Sequence, residues 1–311
     1  MSSKKEIFPE KVFTSLQELL RFEHIARGFS FLARNHKVRS IMGGKHASKL
    51  RGRGLDFEEV RNYVAGDDIR NIDWKVTAKT QKTHTRVYSE EKEKPALIVV
   101  DQSKSMFFGS VNKTKSVVAA ELASIAAFRI QKEGDRVGGL IFADKEVDII
   151  YPKRNRKNIL HFLEKLVERN HDLKDSTITH YDDNLKLAFN KVKNIVTHDF
   201  LIVVISDFHR YSPDVIKFIT RLSKHNDVLL AKIYDPLEQE IPDTNFIVGD
   251  GKQQLSVNAT SKKLRNNYNV TFNDEFEAFK VQMKKHKIPL FLINTVEDVD
   301  VQLKELVGGR K

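Results

Sequence analysis

The chain has 311 residues, of which 40% are hydrophobic and 31% are charged, so it can form one large α/β domain with an extension. It contains no cysteine, which excludes disulfides, cysteine-ligated zinc, iron–sulfur clusters and thiol catalysis. No run approaches the roughly 20 apolar residues that cross a bilayer, and the first residues lack the apolar core of a signal peptide. We therefore expect a soluble, cytoplasmic protein without a transmembrane segment.

The net charge of +11 is concentrated at the N-terminus, where residues 1–54 carry 12 Lys and Arg against 4 Asp and Glu. Such a block suits nucleic acid, an anionic lipid surface or an acidic protein partner, and it is equally typical of a solvated basic face. We treat residues 1–54 as a basic N-terminal region. Apolar residues at helical spacing between 13 and 35 predict one or two amphipathic helices, and residues 41–54 predict a loop.

Residues 55–94 form a second segment, rich in charge and containing the single tryptophan. Its glycine–aspartate pair at 66–67 predicts a turn, and residues 84–88 alternate as an exposed strand does. The segment could hold a second acid/base or metal site. We favour a structural turn held by Arg–carboxylate pairs and anchored by a buried indole. The residues concerned are Arg61, Asp67, Asp68, Arg70, Asp73 and Trp74.

From residue 95 onward, predicted strands alternate with predicted helices. Apolar runs predict strands at 96–100, 136–142, 146–150, 200–206, 227–234 and 289–294. Helical spacing predicts helices at 112–131, 155–169, 182–195, 213–225, 274–286 and 299–307, and residues 241–257 resemble a β-hairpin. This alternation predicts an α/β fold over residues 95–307, with a doubly wound, mostly parallel sheet flanked by helices and an N-terminal helical and β extension.

Two aspartates follow two of these strands: Asp101 comes after 96–100 and Asp207 after 200–206. Ligands of such sheets bind at the carboxyl ends of the strands. Ser103 and Ser105 lie two and four residues beyond Asp101, and a tight turn can aim all three side chains at one point. Carboxylate and hydroxyl oxygens are ligands for Mg²⁺, Mn²⁺ or Ca²⁺. The alternative is that Asp101 opens a strand–helix turn and the serines cap the helix, but the second strand-end aspartate favours a metal site.

The motif Asp-x-Ser-x-Ser after the first strand, with a later strand-end aspartate, resembles the metal-ion-dependent adhesion site of von Willebrand factor A-like domains. The segment RGRGLDFEEVRNYVAGDDIRNIDWKVTAKT resembles the signature of the domain of unknown function 58 family, whose members carry such a domain. ISDF at 205–208 and YDPLE at 234–238 are similar to the family too. The signature positions are Arg51, Gly52, Gly54, Phe57, Arg61, Tyr63, Gly66, Asp67, Asp68, Arg70, Ile72, Asp73, Trp74 and Ala78.

The resemblance implies a metal site with Asp101, Ser103, Ser105 and Asp207 among its ligands. Such domains usually supply a threonine from the loop before the third helix, and that loop here reads STITHYDDNLKLAF. An ungapped count places Asp183 at the threonine's position, while Thr177 and Thr179 lie a few residues earlier. Either Asp183 or Thr179 would complete the ligand set, or the site is degenerate and binds metal weakly.

The resemblance also implies a non-enzymatic adaptor whose metal ion binds an acidic residue of a partner. The implied partner is a MoxR-type AAA+ ATPase, and the implied role is protein maturation, assembly or stress tolerance. The sequence lacks the HExxH, Gly-x-Ser-x-Gly and GxxxxGK[ST] patterns of zinc hydrolases, serine hydrolases and P-loop proteins. Two alternatives stay open: binding of nucleic acid or anionic membranes through residues 1–54, and a metal-assisted hydrolase.

Overall fold

A computed structural model of the chain describes residues 8–28, 47–48, 55–91, 94–176, 181–208, 213–239, 243, 245–249, 254–258 and 276–308. The chain divides into two compact units, residues 1–43 with 95–311 and residues 44–94. Among the helices of the described residues, none combines the length and the apolarity that a membrane span requires. Most of the basic N-terminal region beyond residue 28 lies outside the described residues.

The described strands are β1 (Ala47–Ser48), β2 (Leu55–Asn62), β3 (His84–Glu91), β4 (Pro95–Gln102), β5 (Arg136–Ala143), β6 (Val147–Lys153), β7 (Leu201–Ser206), β8 (Asp227–Tyr234), β9 (Asn245–Gly249), β10 (Gln254–Asn258) and β11 (Leu290–Asn294). Six of them form one sheet in the order β11-β8-β7-β4-β5-β6. All neighbours in this sheet are parallel except β5 and β6, which pair antiparallel. The pair β9 and β10 is antiparallel, as the hairpin prediction at 241–257 requires.

The described helices are α1 (Leu16–Gly28), α2 (Trp74–Thr80), α3 (Lys115–Lys132), α4 (Arg156–Asp172), α5 (Tyr181–Ile195), α6 (Pro213–Leu222), α7 (Pro236–Gln239), α8 (276–285) and α9 (Val299–Gly308). Two 3₁₀ turns, Ile69–Asn71 and Lys104–Met106, complete the regular structure. Helix α1, from the basic N-terminal region, lies in the first unit, where the Oγ of Ser124 in α3 donates a 2.7 Å hydrogen bond to the carbonyl of Leu19.

The core lies on both faces of the six-stranded sheet because successive residues of a strand point to opposite faces. In β4, Ala96, Ile98 and Val100 join the apolar cluster that contains residues of α1, α3, α4 and α9. Leu97 and Val99 join the opposite cluster with residues of α5, α6 and α8. Helices thus cover both faces of a mostly parallel sheet. The predicted fold class, an α/β fold with a doubly wound, mostly parallel sheet flanked by helices, is confirmed.

The fold brings the ends of β4 and β7 together. These strands pair directly in parallel, with Val100 opposite Ile205, so Asp101 and Asp207 leave the same edge of the sheet. The chain runs from β4 to β5 on one side, whereas β7 and β8 lie on the other, so β4 and β7 flank the topological switch point. Ligands of doubly wound sheets bind at this position. We refer to it as the carboxyl edge.

The second unit is a three-stranded sheet in the order β1-β3-β2 with α2. The predicted Arg–carboxylate turn is present: the guanidinium of Arg61 donates two hydrogen bonds, of 2.8 and 2.7 Å, to Asp67. Asp73 is buried, caps α2 and pairs with Arg86 at 2.9 Å. The prediction of a buried indole is wrong, because Trp74 is 69% exposed. The segment is anchored by the hydrogen-bonded carboxylate of Asp73 instead.

Candidate functional site

The turn after β4 brings Asp101, Ser103 and Ser105 together. Asp101 is fully buried, and its Oδ1 accepts a 2.9 Å hydrogen bond from the backbone N–H of Ser103. Ser103 occupies the N-cap position of the 3₁₀ turn, but its side chain makes no capping hydrogen bond. Its Oγ lies 3.1 Å from the Oγ of Ser105 instead. The two hydroxyls therefore face each other beside the carboxylate and do not cap a helix.

The end of β7 supplies the next two groups of the site. The Oγ of Ser206 donates a 2.6 Å hydrogen bond to Oδ2 of Asp101 and accepts a 3.0 Å bond from the N–H of Phe208. Asp207 follows and is buried. Burial, together with the negative charge of Asp207, raises the pKa of Asp101 to about 7. The carboxyl edge thus holds two interacting buried carboxylates.

A buried lysine neutralises Asp207. Lys115 is the first residue of α3, and its Nζ donates hydrogen bonds of 2.9 Å to Oδ2 of Asp207 and 2.5 Å to Oε1 of Glu238. Burial lowers the pKa of Lys115, but the charges of Asp207 and Glu238 outweigh burial and raise it above its usual value. Lys115 therefore acts as an internal cation of the site, a role that the sequence analysis missed.

A second buried lysine approaches from β8. The Nζ of Lys232 donates a 2.5 Å hydrogen bond to the backbone carbonyl of Asp207, and burial lowers the pKa of Lys232 to about 8. In the described part of the edge, two ammonium groups thus accompany the carboxylates of Asp101, Asp207 and Glu238. Lys115 bonds to Asp207 and Glu238 and not to Asp101, whose carboxylate accepts hydrogen bonds from Ser103 and Ser206.

Another strand-end carboxylate, Asp235, follows β8 and is fully buried. Its oxygens accept hydrogen bonds from the N–H and the Oγ of Ser110, from Oγ1 of Thr295 and from the N–H of Leu237, at 2.6 to 2.9 Å. Burial raises the pKa of Asp235, but these hydrogen bonds outweigh burial and hold it below its usual value. Asp235 therefore ties three loops together as a hydrogen-bonded carboxylate.

The two remaining predicted ligands, Asp183 and Thr179, are described only in part or not at all. Residue 183 lies in α5, but its side chain is outside the described residues, as is the whole of Thr179. The choice between Asp183 and Thr179 stays a prediction. The residues that the structure does bring together are Asp101, Ser103, Ser105 and Asp207.

Comparison with known proteins identifies a family, sequence relatives and similar solved structures. The chain is 27% identical over 213 residues to uncharacterized proteins of Mycobacterium bovis and Mycobacterium tuberculosis. The match covers 68% of this chain and 65% of theirs, so it spans less than two thirds of the relatives' length.

Among solved structures, the chain is similar to the conserved hypothetical protein BatB from Bacteroides thetaiotaomicron, with a TM-score of 0.41, 15% identity and coverage of 69% of this chain and 98% of that chain. It is also similar to the SpRpn10 VWA domain, with a TM-score of 0.37, 13% identity and coverage of 69% and 95%. The model of the family described as "Protein of unknown function DUF58" matches residues 59–277, more than half of the chain. The chain therefore belongs to the DUF58 family.

Proposed function

We propose that the protein is a non-enzymatic, cytoplasmic adaptor that binds a partner protein through a divalent cation at the carboxyl edge. The cation would be Mg²⁺, Mn²⁺ or Ca²⁺, and its open coordination position would take an acidic residue of the partner. The observation that carries the proposal is the convergence of the Asp101 carboxylate with the hydroxyls of Ser103 and Ser105.

The donor set fits a hard cation. Carboxylate and hydroxyl oxygens are the ligand types that Mg²⁺ and Ca²⁺ prefer, and the Ser103 hydroxyl is not used for capping. The electrostatics of Asp101 also suit a bound cation, because burial and the proximity of Asp207 disfavour the ionised form of this carboxyl group. A bound cation would reverse that effect. Within the described ranges no three His, Asp or Glu side chains cluster as metal ligands, so the serine hydroxyls are needed to complete the set.

Each residue then has a separate role. Asp101, Ser103 and Ser105 would hold the ion, which supplies a positive centre for the partner's carboxylate. Ser206 orients Asp101 through its 2.6 Å hydrogen bond. Asp207 adds negative charge, and its bond to Lys115 restrains how directly it can approach the ion. Thr179 or Asp183 would supply the remaining oxygen.

A binding role is favoured over hydrolysis by the state of the neighbouring carboxylates. A hydrolase needs a general base that can reach a metal-activated water. Asp207 is held by Lys115, and Asp235 accepts four hydrogen bonds. From the family resemblance, we propose a MoxR-type AAA+ ATPase as the partner, with a chaperone-like role in maturation, assembly or stress tolerance.

Calorimetric titration of Mn²⁺ and Mg²⁺ into the full chain tests the metal site. We expect 1:1 binding that weakens at least tenfold in Asp101→Asn and in Ser103→Ala. Thr179→Ala and Asp183→Asn distinguish the two candidates for the last ligand. Asp214→Asn, which changes an exposed aspartate in α6, is the matched control and should bind like the wild type. Absence of binding, or equal binding by Asp101→Asn, would show that the metal assignment is wrong.

Partner capture tests the adaptor role. The immobilised protein should retain a purified MoxR-type ATPase in Mg²⁺ and release it in EDTA, and Asp101→Ala should not retain it. If the ATPase stays bound in EDTA and to Asp101→Ala alike, the partner does not bind through the metal ion. If the metal binds but the ATPase never does, the choice of partner is wrong.

A further inference from the structure

The second unit exposes the only tryptophan of the chain. Trp74 is 69% exposed and Ile69, in the preceding 3₁₀ turn, is 67% exposed. A large indole is usually buried in a core or an interface, because burial of its surface is strongly favourable. An exposed Trp and an exposed Ile five residues apart in sequence therefore mark this part of the second unit as a candidate interaction surface.

The geometry of α2 shows how this surface is built. Residues four apart lie on the same side of a helix, so Trp74 stands next to Ala78, and Lys75 next to Lys79. All four are exposed. The helix is fixed to β3 through Thr77, whose Oγ1 accepts a 3.0 Å hydrogen bond from the N–H of His84. We call Ile69, Trp74 and Ala78, with the flanking Lys75 and Lys79, the α2 face.

Basic residues outnumber acidic ones in the segment that carries the α2 face. Residues 69–82 contain four basic residues and one acidic residue. The acidic one, Asp73, is buried and paired with Arg86, so it does not offset the exposed cations. The basic residues, Arg70, Lys75, Lys79 and Lys82, are all exposed. An apolar strip bordered by cations complements an apolar side chain bordered by carboxylates.

We propose that the α2 face docks an acidic segment of a partner protein that inserts one or more large apolar side chains against Trp74. Tryptophan and arginine are enriched among the residues that dominate protein–protein binding energy. Nucleic acid fits less well, because single-stranded bases gain from several stacked aromatic rings, and Trp74 is the one aromatic residue of the α2 face. A second copy of the chain would bring two basic faces together, which is unfavourable.

Selection from a phage-displayed library of random 15-residue peptides on the full chain tests the proposal. The selected peptides are then synthesised and titrated, with the single tryptophan as the fluorescent reporter. We expect enriched sequences with several Asp or Glu residues and at least one large apolar residue. Binding should blue-shift the Trp74 emission, weaken with salt, and persist in EDTA because this surface does not involve the carboxyl edge.

Variants locate the binding surface. Trp74→Ala should weaken binding of the selected peptides, measured with labelled peptide, on the order of 30-fold or more. The double variant Lys75→Glu/Lys79→Glu should weaken the acidic peptides in the same assay. Tyr151→Ala removes an aromatic side chain that is 62% exposed on β6, and it should leave binding unchanged.

Four outcomes would overturn the proposal. One is enrichment of neutral or basic peptides only, and another is retention of full affinity in Trp74→Ala. A third is a shift of the Trp74 emission by the oligonucleotide dT20 but not by the acidic peptides, which would assign the face to nucleic acid. The last is an emission that shifts with protein concentration alone, which would assign it to a second copy.

Discussion

The Nζ of Lys115 lies 2.9 Å from Oδ2 of Asp207, and this buried ion pair joins the first turn of α3 to the end of β7. The same ammonium bonds to Glu238, whereas the neighbouring carboxylate of Asp101 accepts hydrogen bonds from Ser103 and Ser206. Asp207 is thus paired with a cation that the protein itself supplies. For Asp101, burial and the charge of Asp207 make the ionised form unfavourable.

Replacing Lys115 with methionine should destabilise the protein strongly. The substitution leaves Asp207 and Glu238 without their shared cation, and removing one partner of a buried pair costs about 3–5 kcal/mol. We expect a loss of this size in the free energy of unfolding, measured by urea denaturation at pH 8. Saturating Mg²⁺ should recover more stability in this variant than in the wild type, because the ion would replace the missing charge.

A double-mutant cycle separates the ion pair from loss of packing. Lys115→Met combined with Asp207→Asn should be more stable than Lys115→Met alone, because one of the two carboxylates that have lost their shared cation no longer carries a charge. If the two substitutions instead lower the stability additively, the two side chains are not coupled. The prediction would then be wrong even though both variants are destabilised.

Ser206→Ala should also destabilise the carboxyl edge, for a different reason. The hydroxyl donates to Asp101 and accepts from the N–H of Phe208, a residue with a φ of 47°. Loss of both hydrogen bonds should lower the free energy of unfolding by about 1–3 kcal/mol. Ser223→Ala is the control, since its half-buried hydroxyl bonds to the carbonyl of Thr220 at the end of α6, and its effect should be small.

The buried Glu121 in α3 predicts a pH-dependent stability. Burial raises its pKa to about 7, and the nearby charges of Asp298 and Glu18 add to the shift, while Lys113 opposes it. A carboxyl group with a raised pKa in the folded state stabilises that state at low pH, and this contribution is lost as the pH rises from about 4.5 through 7. Glu121→Gln removes the titration.

Urea denaturation of wild type and Glu121→Gln at pH 5, 6, 7 and 8 measures this effect. The stability of the variant relative to the wild type should rise between pH 5 and pH 8, by on the order of 2 kcal/mol. A constant difference across the series would mean that Glu121 does not titrate in this range.

Gly139→Ala should disrupt the contact between β5 and α4. A Cβ at this position would lie 2.2 Å from Cδ2 of the buried Phe162. Overpacking of this kind typically costs about 1–3 kcal/mol, which thermal or urea unfolding would detect. Phe162→Leu should suppress part of the loss, so the double variant should be more stable than the sum of the single effects predicts. Strict additivity would show that the clash is relieved elsewhere.

The architecture of the first unit could be predicted because its central strands are apolar on both faces. The runs at 96–100 and 200–206 lie between helices. A continuous apolar run of this kind indicates a buried strand from its own sequence, without knowledge of the strands that pair with it. Once those runs are recognised as parallel strands, the position of Asp101 and Asp207 at one edge follows from the geometry of the sheet.

The role of Lys115 could not be predicted in the same way. A lysine near the start of a helix usually extends into solvent, and its counter-ions Asp207 and Glu238 are distant in sequence. One signal was available: α3 is apolar around most of its circumference, and its residues from 115 to 128 are all buried. A lysine in the first turn of such a helix has to be buried too, and a buried ammonium needs carboxylate partners.

The second unit was predicted less well because its segments are short and charged. In β2, the apolar residues Leu55 and Phe57 are followed by Val60, which breaks the alternation expected of a strand. The register shift between Phe57 and Glu59 explains the break, because a β-bulge inserts one extra residue. The exposure of Trp74 was missed because the buried member of this dipeptide is Asp73, whose hydrogen bonds compensate for its burial.

The antiparallel strand β6 has a consequence for how molecules of this protein meet one another. It lies at the outer edge of the sheet, and its last two residues are Pro152 and Lys153. A strand from another molecule would find no amide proton at Pro152 and would have to cover the charge of Lys153. The C-terminal end of β6 is therefore a poor template for the strand addition that starts aggregation.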